Sequence, residues 1–330
     1  MSTSTPKAWT AANREVVDIG GSQLGNTFDT QLPRAFKGEE YFPKELAYTV
    51  GMDKWCRIAD TSYQTTDEMA IIEATAAGIV ADMPADGSVI VDLGAANSKK
   101  FEPYVHAFIQ QGKSCTYIAL DLNKQSLTDH VAKAADKFPS VKCIGLWGNF
   151  QQGDKFFAHI TGHRIFLSLG SIFFNAPDSM CVDRCAEFRK HLAFSPFDRL
   201  IVGQDGPSVI ESSKTHKAYN TAAYDDFFTT YLGGIQAHAG IVADVKSAWT
   251  YQSKLDNGMH FFEVVAQHEM VCTLYDDFVV KAGTAYTMFP SWKRGEMEIH
   301  DITTDQGMKI KTLGKAASSG MRQYLVQPEQ

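Results

Sequence analysis

The 330-residue chain carries 31 Lys and Arg against 38 Asp and Glu, a formal charge of −7, with 44% hydrophobic and 21% charged residues. That balance excludes a disordered chain, and the acidic surplus argues against a nucleic-acid binder with a broad basic face. No apolar stretch reaches the roughly 18 residues of a membrane-spanning helix, and the N-terminal MSTSTPKAWTAANREVV lacks the apolar segment of a secretory leader. A soluble cytoplasmic protein of two domains is the expectation, with a monomer as the default and no membrane or nucleic-acid partner.

The predicted elements begin late, because residues 1–45 show little periodicity. Residues 66–83 read as a helix, with Thr65 or Thr66 as its cap and Pro84 and Gly87 as its stop. SVIVDLG (88–94) is a short buried strand, residues 100–112 a helix, and TYIALDL (116–122) a second strand. A helix follows over 123–138, a third strand over 141–148, a fourth over 164–170, a helix over 179–192 and a fifth strand over 199–205. This alternation predicts an α/β fold with a doubly wound, Rossmann-like parallel sheet. Beyond residue 206 aromatic and β-branched residues cluster, in YDDFFTTYL, SAWTYQ and HFFEVVAQHEMVCTLY, and Asp256-Asn257-Gly258 is a strong hairpin signal. This half predicts an α+β domain with antiparallel strands.

The cysteines at 56, 115, 143, 181, 185 and 272 form no C-x-x-C pair. Cys181 and Cys185 lie one helical turn apart without further ligands at zinc spacing, so buried thiols are expected and no metal. His260, His268 and His300 read as satisfied or exposed histidines. Asp225-Asp226 and Asp276-Asp277 read as solvated turns. G-x-S-x-G is absent around Ser171, which argues against a hydrolase elbow.

In an open α/β sheet the ligand sits beyond the carboxyl ends of the strands. The first strand ends in VDLGAANSKK, where Asp92 precedes Gly94 and Ala95, small residues that allow close approach of a ligand. One glycine is neither G-x-G-x-x-G nor a Walker loop, which disfavours a dinucleotide or a nucleoside triphosphate. Asp121, ending the second strand, can take both hydroxyls of a ribose. Asn149 and Phe150, after the third strand, can meet an adenine edge and face. A ribose acid with a single-glycine loop suits S-adenosylmethionine, with S-adenosylhomocysteine as product, and points to a methyltransferase.

YIALDL with Asn123 and Leu127, Leu169-Gly170-Ser171 leading to Asn175, Ala218-Tyr219-Asn220, YTVGMDKW and SYQTTDE lie in the order found in one family. The chain resembles the histidine-specific S-adenosylmethionine methyltransferases, the family of the ergothioneine-pathway enzyme, over about residues 40–310. The resemblance implies a cofactor domain of residues 65–206 and 305–330 and an amino-acid-binding domain of residues 1–64 and 207–304. It implies Asp92, Gly94, Ala95, Lys100, Asp121, Asn149, Phe150 and Gly170 for the cofactor. Asn175 and Tyr219 match positions that hold the substrate α-amino and α-carboxylate groups, and Tyr48 and Tyr63 are candidates for relaying the amine proton. Trp55 stands at an aromatic position of the family. Departures bear on the substrate. The histidine enzyme's Glu-Met is Glu263-Val264 here, its Glu-x-Ser is matched to Asp301-Ile302-Thr303, and Tyr-Pro-Thr-Arg has become Tyr63-Gln64-Thr65-Thr66. Val264, Asp301 and Thr303 thus predict a roomier, less imidazole-specific pocket. Fungal relatives of the family methylate tryptophan or prenylated tryptophan. The expectation is N-methylation of L-tryptophan, with histidine and a prenylated tryptophan as alternatives. A non-catalytic relative and a methyltransferase acting on an unrelated amine or hydroxyl stay open.

Overall fold

The computed structural model describes residues 11–207 and 217–329. The chain divides into two units, one of Met1–Gly21, Tyr63–Pro207 and Arg294–Gln330, the other of Ser22–Ser62 and Ser208–Lys293. The polar N-terminal residues 1–10 lie outside the described part. Among the described residues no helix is long and apolar enough to cross a membrane.

The first unit is built on an eight-stranded sheet. Numbered along the chain, its strands are β1 (Val16–Asp18), β2 (Ser88–Leu93), β3 (Cys115–Asp121), β4 (Lys142–Trp147), β5 (His163–Ser168), β6 (Arg199–Asp205), β12 (Met308–Lys315) and β13 (Met321–Pro328); β7 to β11 belong to the second unit. Their spatial order is β1-β4-β3-β2-β5-β6-β13-β12. The predicted strands are β2 to β6, all parallel. Their continuous apolar runs fit burial on both faces: Ile90 packs into the core that holds Ile72, Tyr104 and Val131, while Val89, Val91 and Leu93 pack into the one that holds Phe173, Phe188 and Tyr324. The sheet is not wholly parallel, because β13 runs antiparallel to β6 and β12. Asn123 caps the Lys124–Lys137 helix, its side chain accepting from Ser126 N–H at 3.0 Å. Asn123→Ala is expected to cost about 1 kcal/mol, lowering Tm by about 2–4 °C in a thermal melt.

The second unit contains helices Leu24–Phe36, Lys44–Thr61 and Ala222–Ala239. Its three-stranded antiparallel sheet has the order β11-β8-β7, formed by β7 (Trp249–Asp256), β8 (Met259–Ala266) and β11 (Ala285–Trp292). A separate pair joins β9 (Met270–Cys272) to β10 (Phe278–Val280). The β7–β8 hairpin turns through Asn257 at φ 45° and Gly258 at φ 76°, as its Asn-Gly pair requires.

Some expectations need correction. The Leu24–Phe36 helix lies where no element was predicted. It buries Leu24, Phe28, Leu32 and Phe36 at four-residue spacing, a pattern obscured by the neighbouring Gly, Asn and Pro33. YDDFFTTYL is helical: Tyr224, Phe227, Phe228, Tyr231 and Leu232 are buried at the 3–4 spacing of one helix face. Asp225-Asp226 therefore starts a helix rather than making a turn, and Asp226 pairs with Lys54 at 2.7 Å. The expected domain boundaries also move. Val16 lies opposite Gly145 in the β1–β4 ladder, which joins the N-terminal residues to the sheet unit. The chain returns to that unit at Arg294 rather than near 305, since Ile299 of the Glu296–Thr304 helix is fully buried in its core.

Candidate active site

In the sheet unit, β2 lies between β3 and β5, so chain order reverses across it. Gly94 and Gly170 follow the carboxyl ends of β2 and β5, at the crevice where such sheets bind ligands. Gly94 adopts φ 80°, and a Cβ there would lie 2.6 Å from Ile172 Cδ1. The Gly94 and Ala95 N–H groups both donate to the Leu120 carbonyl, at 2.9 and 3.0 Å. Asp121, 4% exposed, accepts from Ala96 N–H at 2.8 Å and from Asn123 N–H at 3.1 Å. It thereby stitches the first strand-end loop to the second. Burial pushes its carboxyl up from the ordinary range, and the backbone N–H groups of Asn123 and Ala96 act against that shift.

Asn149 organises its own turn. Its side-chain oxygen accepts from Gln151 N–H at 3.1 Å, and its backbone N–H donates to Gln152 Oε1 at 2.9 Å. The Phe150 ring lies 4.8 Å from the Arg184 guanidinium. Lys100 is held by Glu68, its Nζ 2.7 Å from a carboxylate with no exposed side-chain surface. Both Glu68 oxygens also accept from Gly170 N–H, at 3.0 and 2.9 Å. Gly203 makes this approach possible, since a Cβ there would fall 1.6 Å from Glu68 Oε1.

Asp92 is buried beneath the glycine turn. The Tyr117 hydroxyl lies 2.9 Å from its Oδ2 and 2.7 Å from His130 Nε2. Burial pushes the Asp92 carboxyl to about 7, the Tyr117 hydroxyl and the Lys100 charge opposing it, and burial lowers His130 to about 4. Neutral His130 can therefore donate to Tyr117, which donates to Asp92. Because the folded pKa of Asp92 lies above its unfolded value, the stability cost of ionising it grows as pH rises from about 4 towards 7 and stays constant above. Asp92→Asn is expected to leave Tm unchanged near pH 4 and to raise it above pH 7 by at least about 2–4 °C, the shift that roughly 1 kcal/mol produces in a domain of 150–250 residues. Thermal melts of both proteins across pH check this.

Asn175 sits half-buried in the loop between β5 and the Asp178–Leu192 helix, its N–H donating to the Ile172 carbonyl at 3.2 Å. Buried Asp205, at the end of β6, accepts from the Tyr63 hydroxyl at 2.9 Å and from Gln64 Nε2 at 2.6 Å. Its N–H donates to the Ser171 hydroxyl at 2.8 Å. Gln64 thus has a partner of its own in a segment read from sequence as having lost family residues.

In the second unit, half-buried Trp55 has the rings of Tyr48, Phe227, Phe289 and Tyr224 around it, at centroid distances of 5.2, 5.6, 5.9 and 6.4 Å. Tyr219 stacks on His260 at 4.0 Å and 13°, with Lys293 Nζ 3.5 Å from its hydroxyl. Val264 is fully buried, on the face of β8 that also buries His260 and Phe262. Glu263 points to the other face and pairs with Lys254 at 2.6 Å.

Asp301 and Thr303 stand on the Glu296–Thr304 helix of the sheet unit. Asp301 is exposed. Thr303 is buried, with its hydroxyl donating to the Ile299 and His300 carbonyls at 2.9 Å each. Cys181 and Cys185 are buried in the Asp178–Leu192 helix, and burial raises both thiols. Among the described residues no group of three or more His, Cys, Asp or Glu could hold a metal ion.

Glu68, Arg184, Asp205, Phe289 and Arg294 join these contacts without a local mark in the sequence. Phe289 lies at φ 51°, between the Met288 and Ser291 pairings where the β8–β11 register shifts.

The crevice suits S-adenosylmethionine: Gly94 at φ 80° disfavours a side chain at the head of its turn, and the Asp121 carboxylate beside it is already oriented by two amides. The chain matches the profile of histidine-specific, S-adenosylmethionine-dependent methyltransferases over residues 14–328. It is 27% identical over 253 residues to ergothioneine biosynthesis protein 1 of Neurospora crassa, covering 72% of this chain and 28% of that protein. It is 32% identical over 144 residues to the 4-dimethylallyltryptophan N-methyltransferase easF of Trichophyton verrucosum, covering 42% of each. N-methyltransferase dtpB of Aspergillus flavus is 24% identical over 267 residues, 76% of this chain and 73% of that one. The chain thus spans well under half the length of the first two relatives. Since the family profile runs through both units nearly from end to end, the chain belongs to the histidine-specific, S-adenosylmethionine-dependent methyltransferase family.

Proposed function

We propose that this protein methylates the α-amino nitrogen of L-tryptophan. The observation that carries the reading is the ring set around Trp55. Tyr48, Tyr224, Phe227 and Phe289 pack around Trp55, and the half-buried Trp55 and Tyr48 rings keep accessible aromatic surface suited to an indole. Glu263, one acid on which an imidazole reading leaned, lies on the opposite face of β8 from buried Val264 and pairs with Lys254.

S-adenosylmethionine supplies an electrophilic methyl group when bound. Gly94, Ala95, Asp121, Asn149, Phe150 and Gly170 would hold it, with Asp92 and Lys100 as supports beneath. Asn175 and Tyr219 orient the amino acid through its α-amino and α-carboxylate groups. The amine must be neutral to attack, so holding its lone pair in line supplies most of the acceleration. The Tyr48 hydroxyl, or Tyr63 through Asp205, takes the departing proton towards water. Aromatic walls favour the more highly charged, methylated ammonium through cation–π attraction.

Histidine is the second reading, favoured by the longer match to the Neurospora crassa relative, and a prenylated tryptophan is the third, favoured by the Trichophyton verrucosum relative. Mass spectrometry after incubation with S-adenosylmethionine and equimolar histidine and tryptophan tests all three. Methyl additions on tryptophan alone are expected. Additions on histidine alone overturn the reading, and none on either moves the test to prenylated tryptophan.

A further inference from the structure

We propose that Arg184 and Arg294 are positioning residues that fix Asn175. The inference rests on Asn175 holding the substrate, as proposed above. After β5 the chain crosses residues 170–177 to the Asp178–Leu192 helix, where its carbonyls have no strand partner. Two guanidiniums take them up. Arg184 Nη1 donates to the Ile172 and Phe173 carbonyls at 3.1 and 2.7 Å. Arg294 donates from Nε to Phe174 O at 2.9 Å and from Nη2 to Ala176 O at 2.6 Å and Asp178 Oδ1 at 2.7 Å. The carbonyls on either side of Asn175 are therefore bridged by one planar group.

Both arginines are buried, at 7% and 6% exposure. Burying a guanidinium is costly unless its donors are satisfied. The loop is already anchored by apolar side chains, because Phe173 and Phe174 are fully buried and Ala176 nearly so. Such anchors hold the loop to the core, and the Asn175 N–H closes a turn on the Ile172 carbonyl at 3.2 Å. The arginines tie down the carbonyl side of the loop as well, at the residue whose side chain must meet a substrate amine, where an error of about 1 Å can cost about 100-fold in rate. Arg184 has a further contact, its guanidinium lying 4.8 Å from the Phe150 ring. The two arginines therefore predict different kinetic signatures.

The test is a double-mutant cycle of Arg294→Lys with Asn175→Ala in the full chain, with Arg184→Lys alongside. Kinetics on tryptophan are read with calorimetric Kd for S-adenosylmethionine. Lysine keeps the charge but cannot bridge two carbonyls in a plane. Arg294→Lys is expected to lower kcat/KM about 30-fold with the cofactor Kd within about 2-fold. In the Asn175→Ala background the same change should cost less than about 3-fold, because the group it positions is gone. Arg184→Lys should raise the cofactor Kd as well. Equal losses in both backgrounds, or unaltered kinetics for Arg294→Lys, overturn the inference and leave the substrate reading intact. If Arg294→Lys does not fold, Arg294→Gln, which keeps a planar donor, is put through the same cycle and judged by the same criteria. A wild-type protein that methylates no amino acid overturns both.

Discussion

Asp121→Ala is expected to raise the Kd for S-adenosylmethionine by about 100-fold or more, measured by calorimetry. Two losses combine. The carboxylate that would bind the ribose hydroxyls disappears, and hydrogen bonds to a charged group are each worth about 1.5–3 kcal/mol. The Ala96 and Asn123 N–H groups, which it accepts at 2.8 and 3.1 Å, also lose their acceptor, so the glycine turn is no longer tied to the second strand-end loop. Asp121→Asn should fall between wild type and alanine, because its amide retains one acceptor oxygen. The pH dependence has a fixed sign. Burial raises the Asp121 carboxyl, so it takes up its proton at a higher pH than an ordinary aspartate. Wild-type affinity is expected to decline on acidification before the ordinary carboxylate range is reached, whereas that of Asp121→Ala should lack this component. An affinity within about 3-fold of wild type would remove Asp121 from the cofactor site.

What was legible in the sequence was local. β2 to β6 could be read because burial on both faces makes each strand one apolar run, as in SVIVDL, whose residues are all buried. The single-glycine turn and Asp121 could be read because each sits at the carboxyl end of its strand. β12 was harder, since Lys309, Lys311 and Lys315 give an edge strand a polar cast. The supports of the site were not legible, because their partners lie far along the chain. Glu68 reaches Gly170 across 102 residues, and Arg294 reaches Phe174 across 120. A lone Glu or Arg in a helix or loop carries no mark of a distant carbonyl or amide. Phe289 was hidden differently: the register shift between Met288 and Ser291 breaks the alternation that would otherwise give its side.

Trp55→Ala is expected to lower kcat/KM for tryptophan by about 100-fold, with the Kd for S-adenosylmethionine within about 2-fold, because indole stacking and burial are together worth about 2–3 kcal/mol. The proposed substrate determinant lies in the second unit and the proposed cofactor residues in the sheet unit, so substrate and cofactor effects should separate. Trp55 is half-buried and meets its neighbours edge-on or tilted rather than face to face, with interplanar angles of 77°, 79°, 43° and 54° to Tyr48, Tyr224, Phe227 and Phe289. A ring that served only to fill a core would be expected to have its whole surface covered, and its loss would register mainly as a lower Tm. A ring that receives substrate should register as lost turnover with a smaller stability change. Trp55→Phe separates the cases, because it keeps an aromatic face and should restore kcat/KM to within about 10-fold of wild type. The ratio of tryptophan to histidine turnover in the Trp55→Ala protein gives the decisive reading. If indole contact sets the preference, that ratio collapses towards one. If both rates fall together, Trp55 supports the fold of the second unit, and the choice of amino acid resides elsewhere.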